Sequence, residues 1–273
     1  MKAVMLLENL SADSRLEAEH GLSLYLETGD HRILFDTGQT DAFARNAEKL
    51  GIDLRAVDMA VLSHGHYDHS GGLARFLAIN DHAPVYIHRE AFERRKAADG
   101  REIGIRSLPE SEDRIVLTGD SLELGQDLRL CTCNGATAPY ASHSAGLLMF
   151  REGCFVPDDF HHEQYLCIRD QDKLIVVSGC SHKGVLNILH WLRPDVLIGG
   201  FHFMSLDAEG EGSAELDHAA ETLAACPTVC CTCHCTGKKQ FDYLKPKLGD
   251  RLHYLSAGMG LIVDENGVRV TGP

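Results

Sequence analysis

The sequence predicts an α/β chain in which two β-sheets pack face to face with helices on the outside. Three observations predict it. Short β-rich runs alternate with helical ones along the chain, and no low-complexity linker interrupts them. Several apolar runs end directly in a histidine, as strands feeding a common edge would. The 273 residues, 44% of them hydrophobic, can bury a substantial core and suit a single domain over residues 1–273.

Taken in order, the first half reads as strands at residues 3–7, 22–27, 32–35, 60–62 and 85–87, with a helix over 41–50 and another opening after Gly71-Gly72, over 73–78. The second half reads as strands at 166–169, 174–178, 196–198 and 228–231, alternating with helices at 184–192 and 214–224. The opening run from Met1 to Leu7 meets Glu8 and Asn9 at once, too short for a signal peptide, and reads as an edge strand. No run approaches the roughly eighteen apolar residues of a membrane span, so the expectation is a cytoplasmic protein without membrane contact.

Composition narrows the function classes. A formal charge of -14, from 26 basic against 40 acidic residues, argues against a nucleic-acid partner, since phosphate binding depends on Lys and Arg. Ten cysteines in a chain of this size read as reduced thiols, most of them small buried strand residues. Cys230, Cys231, Cys233 and Cys235 crowd around His234, but Cys131 and Cys133 lack the spacing of a second zinc knuckle.

The segment that carries chemistry is Ser63 to Gly72. It places His64, His66, Asp68 and His69 within six positions, between an apolar strand and a glycine pair. The alternative, a solvated histidine-rich loop, explains a single pair better than it explains this block. In extended backbone, residues two apart point the same way, so His64 and His66 can reach one ion while Asp68 and His69, beyond a turn, reach a second. Imidazole with carboxylate suits Zn²⁺, with Fe²⁺ or Mn²⁺ as alternatives.

This H-x-H-x-D-H block after a strand resembles the signature of the metallo-β-lactamase superfamily. Asp36-Thr37-Gly38, ending an apolar run, resembles that superfamily's first motif, whose Asp buttresses the metal loop. Ser178-Gly179-Cys180-Ser181-His182, Gly199-Gly200-Phe201-His202, His234-Cys235-Thr236-Gly237, Glu8-Asn9 and Glu19-His20-Gly21-Leu22-Ser23 resemble its dihydropterin-ribofuranosylaminobenzene-phosphate synthase-like branch. The resemblance implies a four-layer αββα sandwich of two mixed sheets.

The second-half histidines fit a converging site: apolar runs end at Cys180 and His182, at His202 and at His234. One such histidine is more often a cap or a core residue; three in the same relative position favour convergence. The expected ligands are His64, His66 and His182 for one ion and Asp68, His69 and His234 for the other. Asp68 also orients the nucleophile, and His202 is either a ligand or a contact to substrate or transition state. Cys180 stands where the superfamily has a bridging Asp, and either bridges or packs; counting back nineteen from it reaches His161, an alternative third histidine.

Two divalent ions, zinc first, imply a metal-dependent hydrolase that activates water on a small, phosphate-bearing substrate. The helix after Gly72 is expected to favour an anionic group through its amides. The branch implies instead a transferase that releases diphosphate, and a metal-retaining regulatory protein is a third reading. Segments 98–114, 134–145, 153–164 and 205–213 are expected to form lids, with Tyr67 and Phe203 offering aromatic surface. A homo-oligomer is compatible with the sequence.

Overall fold

Period-two alternation of apolar residues builds two sheets, each buried on both faces. The computed structural model describes residues 1–29, 31–106 and 113–272. Strands Lys2–Leu7 (β1), Ser23–Thr28 (β2), His31–Phe35 (β3), Met59–Val61 (β4), Val85–His88 (β5), Arg95–Lys96 (β6) and Ile115–Thr118 (β7) come first. Ser121–Glu123 (β8), Leu128–Cys131 (β9), Leu148–Arg151 (β10), Cys154–Pro157 (β11), Tyr165–Asp170 (β12) and Lys173–Val177 (β13) follow. Val196–Ile198 (β14), Val229–Thr232 (β15), Leu252–Tyr254 (β16), Gly260–Asp264 (β17) and Gly267–Thr271 (β18) complete the set.

The helices are Ala42–Lys49 (α1), Tyr67–Ser70 (α2), Leu73–Ile79 (α3), Val185–Leu192 (α4), Ser213–Ala225 (α5) and Lys238–Leu248 (α6). One sheet has the order β18-β17-β1-β2-β3-β4-β5-β7, the other β16-β15-β14-β13-β12-β9-β8, and β11-β10-β6 form a small third sheet.

Alternation assigns each residue to a layer. Met5, Leu24, Phe35 and Val61 of the first sheet meet Leu130, Leu166, Ile175 and Val177 of the second in a core between the sheets. Leu34, Ala60 and Leu62 face outward onto Phe43 of α1 and Phe76 of α3. On the other side, Val176 and Leu197 face Leu186, Leu216 and Leu244 of α4, α5 and α6. The αββα sandwich expected from the sequence is therefore present. All ten cysteines are free thiols. Cys230 packs in the outer helical core, while Cys231 and Cys233 lie between the sheets.

Strand direction places the site. β3, β4, β5 and β7 run parallel, as do β13, β14, β15 and β16. The carboxyl ends of β3, β4, β13, β14 and β15 thus release Asp36, His64, Cys180, His202 and His234 into the loops of one edge. Among the described residues, no helix is long and apolar enough to cross a membrane.

Candidate metal centre

Tight packing at the strand ends brings the ligand loops together. Ser63 opens the histidine loop just after β4, and Gly179 lies two residues beyond β13, where a Cβ would stand 2.2 Å from Ser63 Oγ and 3.1 Å from His64 Nδ1. Only glycine lets these two chain segments approach so closely. Asp36, Ser181, His202 and His234, all at this edge, have φ between 49° and 60°. Such left-handed backbone costs non-glycine residues about 1–3 kcal/mol and persists where surrounding structure dictates it.

Four imidazoles are fixed by their Nδ1 atoms. Asp36, fully buried, accepts from Ser63 N and Ser63 Oγ (2.7 Å each) and from His69 Nδ1 (2.6 Å). Because the Ser63 hydroxyl proton is given to Asp36, Ser63 Oγ accepts from His64 Nδ1 at 2.8 Å. Ser144 Oγ donates to His182 O (3.0 Å) and accepts from His182 Nδ1 (3.0 Å). Asn9 Oδ1 accepts from His234 Nδ1 at 2.7 Å, and Glu8 holds the His234 amide at 2.6 Å.

With every Nδ1 carrying the proton, each Nε2 presents a lone pair inward. His64 Nε2 and His182 Nε2 lie 3.3 Å apart, and the buried Nε2 atoms of His66 and His234 have no hydrogen-bond partner. Lone pairs of buried nitrogens facing one another repel; a shared cation removes the conflict. The donor chemistry therefore fits a divalent metal such as zinc.

The expected first group is brought together: His64, His66 and His182 offer nitrogens within 4.8 Å of one another. The second is looser. Asp68 Oδ2 lies 3.3 Å from His234 Nε2 and 3.7 Å from His69 Nε2, while His69 Nε2 is 3.2 Å from Cys180 Sγ. His20 joins this group with Nε2 3.2 Å from Asp68 Oδ2 and its ring 4.8 Å from that of His234. It was not among the expected ligands, although it lies in the Glu19–Ser23 motif. Glu19 pins that loop by accepting from the amides of Gln39 and Thr40 at 3.0 and 2.8 Å.

Electrostatics favour neutral imidazoles beside an ionised carboxylate. Burial first, then neighbouring imidazoles, push His64 and His182 well below the ordinary histidine range. Burial likewise brings His234 down to about 4. Burial works against the Asp68 carboxylate, yet His69, His20 and His234 hold it well below its usual range. His69 moves the other way: burial opposes its protonation, and Asp36 and Asp68 outweigh that and raise it.

Some expectations need correction. His161 is half exposed and 3.8 Å from Asp159, away from the ligand cluster, so it is no third ligand here. Its neighbour His162 is fully buried, and its Nδ1 accepts from the Gly65 amide at 3.0 Å, which makes it a brace for the metal loop. Arg95, also fully buried, donates to Asp158 (3.0 Å) beside His162 and to the carbonyls of Glu90, Ala91 and Glu93.

The helix-dipole expectation does not hold. The residues after Gly72 form a seven-residue helix, and a Cβ at Gly72 would meet Thr37 O at 2.2 Å, which places its start against backbone and away from the cavity. Phe203 is packed against Phe201 and is buried, so it offers no surface to a substrate.

A cavity of about 320 Å³ opens over the ligands. Its floor includes His66, Asp68, Cys180, His182, His202 and His234; its walls include Tyr67, Ile103, Leu147 and Met204, with Arg101 and His20 also lining it. Arg101 and Ile103 come from the expected lid segment 98–114, of which residues 107–112 lie outside the described residues, and Ser205 comes from the segment 205–213. Tyr67 N donates to Ile103 O at 2.9 Å, tying the first lid to the metal loop, and the guanidinium of Arg106 lies 4.5 Å over the Tyr67 ring. His202 Nδ1 donates to His143 O at 3.0 Å, its ring 4.4 Å from that of His182.

Comparison with known proteins agrees with this geometry. A sequence model of the metallo-beta-lactamase superfamily matches residues 16–130. The chain is 29% identical to the 7,8-dihydropterin-6-methyl-4-(beta-D-ribofuranosyl)-aminobenzene-5'-phosphate synthase of Methanocaldococcus jannaschii, over 88% of this chain and 89% of that protein. It is 28% identical to an uncharacterized protein of the same organism, over 88% and 93% respectively. A crystal structure of a metal-dependent hydrolase of the beta-lactamase superfamily, Tm1679, superposes with a TM-score of 0.77 and 26% identity, over 97% of this chain and all of that one. The metallo-beta-lactamase fold protein YhfI of Bacillus subtilis, 12% identical with a TM-score of 0.56 over 95% and 98%, shares the fold.

Proposed function

We propose that the chain, which is similar to the metallo-β-lactamase superfamily in sequence and fold, is a cytoplasmic metal-dependent hydrolase with two divalent ions, acting on a small phosphate-bearing molecule. The observation that carries this reading is the inward convergence of Nε2 lone pairs from His64, His66, His182 and His234 beside Asp68. His64, His66 and His182 would hold one ion, and Asp68, His69 and His234 the other, with His20 in reach. Bound divalent ions would supply Lewis acidity and lower the pKa of water towards neutrality.

The chain's own residues would do the rest. Asp68, whose Oδ2 lies between His20 and His234, would accept a hydrogen bond from the attacking water and fix its direction. His202, on the cavity floor with Nδ1 tied to His143 O, keeps Nε2 as the atom that can exchange a proton with the substrate. Ile103, Leu147 and Met204 would exclude water around an apolar part of the substrate, and Arg101 would pair with its anionic group.

A second reading has a specific support. The relative from Methanocaldococcus jannaschii that shares 29% identity over most of both chains is named as a synthase, so transfer with release of diphosphate is the alternative chemistry. In that case Asp68 and the ligand cluster would serve the leaving group.

The test is turnover of metal-loaded protein on chromogenic phosphomonoesters and phosphodiesters, with Asp68→Asn in parallel. Hydrolysis that falls at least 100-fold in Asp68→Asn supports the first reading. Absence of hydrolysis, with diphosphate appearing only when a dihydropterin and a ribofuranosylaminobenzene phosphate are supplied together, supports the second.

A further inference from the structure

We propose that Cys131 and Cys167 form a dithiol that hydrogen peroxide oxidises to a disulfide, a modification site on the outer face of the second sheet and separate from the metal centre. β9 and β12 pair antiparallel, with Tyr165 opposite Cys131 and Cys167 opposite Arg129, so the two cysteines are diagonal neighbours on one face. That face packs into the outer helical core, which holds Cys131, Tyr165 and Cys167 together. The two sulfurs lie 3.6 Å apart, and both are free thiols. A disulfide holds its sulfurs at about 2.0 Å, so closure takes side-chain rotation and leaves the strand pairing in place.

The surroundings give the two thiols different roles. Cys167, 5% exposed, lines a cavity of about 180 Å³ with Arg129, Arg169 and Leu174, an opening sized for a small oxidant. The hydrogen bond from Cys131 first, and Arg129 after it, lower the Cys167 thiol from its ordinary value against the opposing effect of burial. For Cys131, contact with Cys133 lowers the thiol, but bonding to Cys167 and burial outweigh it and push it up to about 12. The proton therefore stays on Cys131, and Cys167 supplies the thiolate, which is the nucleophilic form.

With hydrogen peroxide, the Cys167 thiolate attacks one oxygen and the O–O bond breaks. Hydroxide leaves and takes up the proton that Cys167 had released, and Cys167 becomes a sulfenic acid. The Cys131 sulfur then attacks that sulfur, the S–O bond breaks, and water departs with the Cys131 thiol proton. Two thiols and one peroxide give one disulfide and two waters. Cys133 is the competing thiol. Its bond to Cys131 raises it, so it keeps its proton, and it lines a different cavity, with Lys183 and Trp191.

The experiment treats the zinc-loaded full chain with equimolar hydrogen peroxide, alkylates the remaining thiols, and locates disulfides by peptide mapping with mass spectrometry. Wild type is compared with Cys131→Ser, Cys133→Ser and Cys167→Ser. The expected product in wild type and Cys133→Ser is a Cys131–Cys167 disulfide that a dithiol reductant reverses. In Cys131→Ser, a dimedone adduct should mark the sulfenic acid on Cys167; in Cys167→Ser, Cys131 and Cys133 should remain thiols. Wild type alone is decisive even where a variant fails to fold. Cys131 and Cys167 both alkylated after treatment, or Cys131 linked to Cys133, overturns the inference, as does a dimedone adduct on Cys131 in Cys167→Ser.

Discussion

At the scale of single residues, tautomer control is the main device of this site. His64, His69, His182 and His234 each have the Nδ1 proton claimed by a named acceptor, which leaves Nε2 as the atom turned towards the cluster. Removing one acceptor should loosen one ligand without removing it. Asn9→Ala should therefore weaken metal binding about 10- to 100-fold, measured by competition with a chelator. An unchanged affinity would show that Asn9 does not orient His234. The sequence made His64, His66, Asp68 and His69 legible because they are neighbours in one motif. Asn9 was visible only as part of a family-like dipeptide, since its partner lies 225 residues away. The place of His20 beside Asp68 was not legible, because a lone histidine in a loop carries no spacing signal.

At the scale of elements, parallel strands deliver the ligands and a small sheet braces the loop that holds most of them. The strands ending in histidines were readable because they are continuous apolar runs buried on both faces. β6, β8, β10 and β11 were not, because they are two to four residues long, too short for alternation to register. Helix α6 was also missed; its sequence KKQFDYLKPKL carries four lysines and Pro246 and offers only Gln240, Leu244 and Leu248 as buried positions. Those short strands matter, since β6 carries Arg95, the brace for Asp158 and His162. Arg95→Leu leaves the Asp158 carboxylate buried without its cation and should cost about 3–5 kcal/mol, measured by urea denaturation. A loss below about 1 kcal/mol would show that the triad is not a structural brace.

At the scale of the whole molecule, a chain of net charge -14 is built around a pocket of neutral imidazoles. This has a pH signature in metal-free protein. His162 and His234 are both brought to about 4 by burial, against roughly 6.5 in an unfolded chain. Between those values the unfolded chain binds more protons than the folded one, so stability is full above about 6.5 and is lost as the pH falls towards 4. His64, His66 and His182 act in the same direction, while raised His69, Glu8 and Glu163 act in the opposite one. The lowered histidines are more numerous, and the urea midpoint of metal-free protein should drop between pH 6.5 and 4. A midpoint that is flat or rises over this window would contradict the neutral-imidazole description.

In the proposed two-metal site, one sheet edge would draw ligands from both halves of the chain. Elemental analysis of metal per chain tests it most directly, on protein purified without a metal-affinity tag, comparing wild type, His182→Ala and His202→Ala. The expected result is close to two equivalents in wild type, a clear loss in His182→Ala, and little change in His202→Ala, whose ring is assigned to substrate. One equivalent or none in wild type, or a content indifferent to His182→Ala, would contradict it.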